Sequence, residues 1–248
     1  MRMDIGNFPE LDYACEEAIN TLCTNLSFCG SKQKRIMVTS SRAHEGKTFI
    51  AMQLMRALAK LGKKVVLVDA DLRRSVLNTS YNLEVMRGYG DGLANYLAGM
   101  CEAERIVYMT DIYNARIIPV GRTVSNSLAL LSDGRFGQLM EALSKTYDVV
   151  IVDAPPVGIV IDAAEIAKCC TGVLLVVQYK ETHRKELLDV KAQVEQTGCP
   201  ILGAVLNNVS FDSYSSKKYY NKYYYSHYAS DYYKPSKKPR AMPIEPKR

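Results

Sequence analysis

The run Arg35-Ile-Met-Val-Thr-Ser40 enters a polar loop, and a helical run beginning at Lys47-Thr48-Phe49 leaves it. The loop closes on Gly46-Lys47-Thr48, the back half of the phosphate-binding pattern G-x-x-x-x-G-K-[ST]. This junction constrains the fold more than any other feature. Such a loop cradles phosphate only where a helix N-terminus faces the end of a strand, so that orphan N–H groups and the helix dipole meet the anion. Gly46 lets the backbone approach, Lys47 reaches the β- and γ-phosphates, and Thr48 is placed to hold Mg²⁺. Ser41 occupies the slot of the first glycine. The nucleotide-binding stretch is therefore Ser41, Arg42, Ala43, His44, Glu45, Gly46, Lys47, Thr48 and Phe49.

The rest of the chain alternates in step with that junction. Residues 9–28 keep helical spacing of apolar positions, with Pro9 suited to a first turn. After the loop, Ile50, Leu54, Leu58 and Leu61 form one stripe, and Gly62 is a natural stop. Lys64–Asp69 is nearly continuous in apolar residues, as expected of a parallel strand buried on both faces. A short helix is expected at Leu93–Leu97, a strand at Ile112–Pro119 and a helix at Ser132–Lys145. A second buried strand ends at Asp153, followed by helix 162–170, strand 172–178, helix 182–197 and strand 201–207. This order predicts an α/β fold of the P-loop NTPase type, a mostly parallel sheet with helices on both faces. Three segments follow: 1–32 as a helical piece packing on the body or between subunits, 33–211 as the P-loop domain, and 212–248 as a flexible tail.

Ligands of such folds sit outside the carboxyl ends of the strands. Asp69 and Asp71 end one strand and Asp153 another, so three carboxylates are expected beside the loop. Mg²⁺ takes hard oxygen ligands and usually few carboxylates plus phosphate. Thr48, Asp71 and Asp153 meet that requirement. No stretch of about 18 apolar residues suggests a membrane span. The opening MRMDIGNFPE lacks the apolar core of a signal peptide, so a cytoplasmic location is expected. The seven cysteines show no C-x-x-C spacing and read as reduced thiols.

With these residues in view, the chain resembles the bacterial P-loop tyrosine kinases, the cytoplasmic tyrosine autokinases of capsular and exopolysaccharide biosynthesis. The resemblance runs from about residue 14 to the C-terminus. It rests on Gly46-Lys47-Thr48, VVLVDADLRR, VVIVDAPP, GLANYLAG, VLNNV at 205–209 and a tyrosine-rich tail. It implies an ATP- and Mg²⁺-dependent protein-tyrosine kinase in which Lys47 holds phosphate and Thr48, Asp71 and Asp153 hold Mg²⁺. It further implies that Asp69 is the base and that Asn207 contacts adenine. A separate membrane-embedded activator, a homo-oligomer and a cognate phosphatase are the implied partners, with peripheral membrane association through the activator and no nucleic acid expected. A phenol near pKa ~10 and a carboxylate near ~4 differ by about 8 kcal/mol, so Asp69 is expected to orient the hydroxyl and take its proton late.

Nine of the 17 tyrosines fall in the last 35 residues: Tyr214, Tyr219, Tyr220, Tyr223, Tyr224, Tyr225, Tyr228, Tyr232 and Tyr233. They are interleaved with lysine and show no periodicity, which suits either phosphate acceptors or a basic-aromatic binding tail. Beside a phosphate site the acceptor role is favoured, with transfer between subunits.

Several positions depart from the family pattern. Glu17 of its E-x-x-R-x-x-R helix is kept, but Asn20 and Cys23 replace the arginines, and neither can make a bidentate bond to a carboxylate. His44 stands in a glycine slot; if that slot needs positive φ, histidine costs about 1–2 kcal/mol and weakens nucleotide binding about tenfold. Arg42 lies where partition ATPases carry a signature lysine, and Ser75 replaces a usual proline, a change expected to be neutral. Two alternatives stay open: a partition-type ATPase switch, and an inactive kinase relative acting as a binding protein.

Overall fold

The computed structural model describes residues 1–85, 90–122, 124 and 126–209. The nine candidate acceptor tyrosines lie outside the described residues. In chain order the elements are β1 (Met3–Ile5), α1 (Tyr13–Phe28), β2 (Arg35–Ser40), α2 (Lys47–Lys60), β3 (Val65–Asp69), α3 (Leu77–Tyr81), β4 (Leu83–Val85) and α4 (Leu93–Leu97). They continue as β5 (Tyr108–Met109), β6 (Ala115–Ile118), α5 (Ser127–Ser132), α6 (Arg135–Thr146), β7 (Val149–Asp153), α7 (Asp162–Lys168), β8 (Gly172–Gln178), α8 (Arg184–Gln196) and β9 (Ile201–Asn207).

Seven strands form one sheet in the order β5-β6-β3-β7-β2-β8-β9, parallel throughout except for β5. The apolar strands explain why. In β3, Val65 and Leu67 point into one core and Val66 and Val68 into the other. A strand with both faces apolar needs helices on both sides, and parallel crossovers supply them. α1 and α2 cover one face; α6, α7 and α8 cover the other. The α/β class expected from the alternation is the class observed.

The differences are local. α1 begins at Tyr13, later than its apolar spacing suggests, because the Asp12 carboxylate accepts the Cys15 N–H at 2.7 Å and caps the helix there. The helix expected over Ser132–Lys145 is α6 and starts only at Arg135, because Gly134 before it takes φ +82°; α5, just ahead of it, was not expected. The strand at Ile112–Pro119 contracts to β6. The pair β1–β4, edge strand β5 and helix α3 were not expected; each is five residues or fewer, too short for a period to register. Cys23, at the second arginine slot, is 3% exposed and packs in the core, while Asn20 Nδ2 donates to Glu17 Oε1 on the same helix at 3.2 Å. Position 23 therefore faces inward. All seven cysteines are free thiols. No helix among the described residues is long and apolar enough to cross a membrane.

Candidate phosphoryl-transfer site

β2 delivers the loop to the N-terminus of α2, whose first turn carries free N–H groups. Gly46 has φ +92°, and a Cβ there would stand 2.0 Å from Asn207 Nδ2. Both facts require glycine. His44 has φ +65°, so the slot does demand the left-handed region. The loop is held by its own side chains. Glu45 is buried and accepts the Arg42 N–H at 2.8 Å and the hydroxyls of Ser41 and Thr182. Asn207 Nδ2 donates to the Glu45 carbonyl at 3.0 Å. The Arg42 guanidinium pairs with Glu186 on α8.

The metal side follows from strand register. β3 and β7 are neighbours in which Asp69 and Asp153 are direct partners, which brings two carboxylates side by side at 2% and 3% exposure. Burial raises both, and their mutual repulsion adds to it for Asp69, which is held well above the usual carboxylate range. Asp153 is raised to about 6, mainly by burial, with a hydrogen bond from Thr48 and the charge of Lys47 pulling the other way. Asp153 Oδ1 is buried without a hydrogen-bond partner. Buried, unpaired carboxylate oxygen calls for a cation. Among the described residues no three His, Cys, Asp or Glu side chains converge on one point, so protein ligands alone do not complete a site. Mg²⁺, which binds few carboxylates and takes phosphate and water oxygens for the rest, fits Thr48, Asp71 and Asp153.

A cavity of about 790 Å³ opens over this end of the sheet. Ala43, His44, Gly46, Lys47, Thr48 and Phe49 line it, with Asp71 and Asp153. Ser41, Arg42, Glu45, Asn207 and Asp69 do not. The side chains of Ser41 and Asn207 hydrogen-bond to Glu45, and the Arg42 side chain pairs with Glu186 on α8. Asp69 is buried, and Ser75 Oγ donates to its carboxylate. Pro9, Val76, Tyr81, Pro156 and Ile159 add apolar surface to the lining, and Arg73, Arg74 and Ser75 add polar groups.

Two features escaped the sequence reading. Ser75, a change expected to be neutral, lines the cavity, and its hydroxyl donates to Asp69 Oδ2. Arg73 makes a bidentate bond to the buried Asp162 at 2.8 and 2.9 Å, and Ser127 Oγ donates to the same carboxylate at 2.5 Å. Burial opposes ionisation of Asp162, but these bonds outweigh it and hold the group below the usual range. The partner lies 89 residues away, and nothing near Asp162 in sequence announces it.

Comparison with known proteins agrees with this geometry. Residues 33–196 match the AAA domain family. The chain is 37% identical over 195 residues to the tyrosine-protein kinase CpsD of Streptococcus agalactiae serotype Ia, covering 79% of this chain and 83% of that protein. It belongs to the bacterial tyrosine-protein kinases. Among solved structures, the kinase domain of the Escherichia coli tyrosine kinase ETK superposes with a TM-score of 0.75 at 32% identity, covering 80% of this kinase and 77% of that chain. The septum site-determining protein MinD of Pyrococcus horikoshii, solved with Mg-ADP, gives a TM-score of 0.60 at 25% identity, covering 70% and 69%.

Proposed function

We propose that this kinase transfers the γ-phosphoryl group of ATP, with Mg²⁺, to the tyrosines of its own C-terminal segment, in trans between copies. The observation that carries the proposal is the mixed lining of one cavity. It brings Lys47, Thr48, Asp71 and Asp153 together with apolar groups, Pro9, Val76, Tyr81, Pro156 and Ile159, that suit a phenol ring. Nine tyrosines concentrated in the last 35 residues supply acceptors. The implied setting, from relatives such as the kinase in the cps region of Klebsiella pneumoniae, is capsular or exopolysaccharide synthesis. A membrane-embedded activator is the proposed partner.

Lys47 and the N–H groups at the start of α2 bind and orient the β- and γ-phosphates. Thr48, Asp71 and Asp153 would hold Mg²⁺, which neutralises charge on the phosphate oxygens when bound. The tyrosine oxygen forms the new bond to the γ-phosphorus, the bond to the β–γ bridging oxygen breaks, and ADP leaves. The tyrosine proton ends on Asp69. Each phosphate adds about −1.5 to −2 charges, so several reverse the sign of the basic tail and oppose its return to a site walled by Asp71 and Asp153. Phosphorylation thereby controls self-association.

The test uses γ-labelled ATP and Mg²⁺ with the full chain, Lys47→Met, and a chain ending at Phe211. Tyrosine label that requires Lys47 and disappears with the tail supports the reading. Release of free phosphate without tyrosine label refutes it in favour of an ATPase switch.

A further inference from the structure

We infer that Ser75 is a catalytic residue of this kinase: its hydroxyl is the group an incoming phenol meets, and it relays the phenol's proton to Asp69. The inference rests on the tyrosine-kinase reading and adds to it the route by which the proton leaves.

Position supplies the first part. Asp69 is 2% exposed and does not line the cavity, and the side chain that joins it to the cavity is Ser75. Ser75 lines the cavity beside Asp71 and donates its proton to Asp69 Oδ2. The other carboxylate oxygen, Oδ1, accepts the Asp71 N–H at 3.3 Å. Ser75 therefore stands between the cavity and the carboxylate, and the carboxylate's remaining partner is backbone.

Valence supplies the second part. A serine hydroxyl has one donor and two acceptor lone pairs. The donor goes to Asp69, and one lone pair accepts the Leu77 N–H at 3.3 Å. One lone pair remains, on a residue that faces the cavity. A phenol O–H is a donor of the right kind for it. As the tyrosine oxygen bonds to phosphorus, its proton passes to Ser75 Oγ while the Ser75 proton passes to Asp69 Oδ2. Serine ends as it began, the carboxylate ends protonated, and the electron pair of the broken P–O bond departs with ADP. The Leu77 N–H fixes the oxygen, so the relay costs little reorganisation.

The experiment compares the full chain with Ser75→Ala and Ser75→Thr in single-turnover labelling of tail tyrosines from γ-labelled ATP and Mg²⁺. Affinity for Mg-ADP is measured alongside. A positioned proton-transfer group contributes roughly 10²- to 10⁴-fold, and water can partly replace it in the alanine variant. We expect Ser75→Ala to slow transfer about ten- to hundredfold, with Mg-ADP affinity within about twofold of wild type, and Ser75→Thr to recover most of the rate. The proton inventory in mixed H₂O and D₂O is expected to be curved for wild type and linear for Ser75→Ala, since one of two moving protons is gone. A merely structural serine would not change that shape. A wild-type rate in Ser75→Ala, a loss matched by weaker Mg-ADP binding, or no recovery with threonine overturns the relay while wild-type labelling keeps the kinase reading standing. Absence of Lys47-dependent tyrosine label in the wild type overturns both.

Discussion

Replacing His44 with glycine separates two consequences of one strained residue. His44 has φ +65° on an exposed loop, a region that costs an L-residue about 1–2 kcal/mol. Glycine removes that cost and adds about 0.5–1 kcal/mol of chain entropy lost on folding, leaving about 0.5–1 kcal/mol in favour of the variant. The expectation from sequence was that this energy would appear as a tenfold change in nucleotide affinity. The bonds around the loop argue otherwise. Glu45 is fixed by Arg42, Ser41 and Thr182, and Asn207 holds its carbonyl, so the loop's path is set by protein contacts. Strain imposed by protein contacts is common to the bound and free protein and cancels in binding. It does not cancel in folding. With a urea m-value of about 2 kcal/mol/M, His44→Gly should raise the unfolding midpoint by roughly 0.3–0.5 M with m unchanged. The chain has no tryptophan, so far-UV circular dichroism is the suitable probe. ADP affinity, by calorimetry, should stay within about twofold. His44→Ala keeps the Cβ and should show no such gain. A tenfold tighter ADP complex with an unmoved midpoint would refute the argument, because the loop would then take its shape only with nucleotide.

Three further outcomes follow from single positions. Gly46→Ala should abolish measurable ADP binding and lower stability by several kcal/mol, read by calorimetry and urea unfolding, because the new Cβ meets Asn207 Nδ2 at 2.0 Å on a backbone of φ +92°. For Asp153, raised to about 6 against the usual 3.8, the folded state keeps a proton that the unfolded chain has released between those values. Metal- and nucleotide-free protein should therefore lose stability as pH rises from about 4 to about 6, by up to about 3 kcal/mol from this group. Asp153→Asn should flatten that slope and raise the melting temperature at pH 7 while eliminating tyrosine label. Arg73→Ala leaves the buried Asp162 carboxylate with Ser127 alone; after discounting for the half-exposed arginine, a loss of about 1–3 kcal/mol is expected at pH 7. Asp162 is held below the usual range, so this contribution is present above the usual carboxylate pKa and shrinks as pH falls through it.

Periodicity and strand-end residues carried most of the fold. Val65–Asp69 and Val149–Asp153 were legible as buried strands because both faces are apolar, and the aspartates that end them fall in register as a result. Asp71 and Asp153 beside Lys47 and Thr48 were legible for the same reason. The short elements were not, since β1, β4 and β5 span three residues or fewer, and β1 and β4 owe their existence to each other across a long stretch of sequence. Helix boundaries failed where a single side chain or φ angle decides them, as at Asp12 and Gly134.

The site residues divide along the same line. Motif matching marks which residues belong to a loop, and it assigned all of Ser41–Phe49 to nucleotide. It does not say which way each side chain turns. Successive side chains of a turning loop leave on different sides, so part of the motif faces the ligand and part braces the turn. Here Lys47 and Thr48 line the cavity, while the side chains of Ser41 and Asn207 hydrogen-bond to Glu45 within the loop. The same division separates Asp69 from Asp71. Two residues apart at a strand end, they differ in that Asp71 reaches the cavity and Asp69 is covered by Ser75. A carboxylate in that position would act through whatever covers it, and for that reason the proposed proton path runs through a residue that the sequence alone marks as neutral.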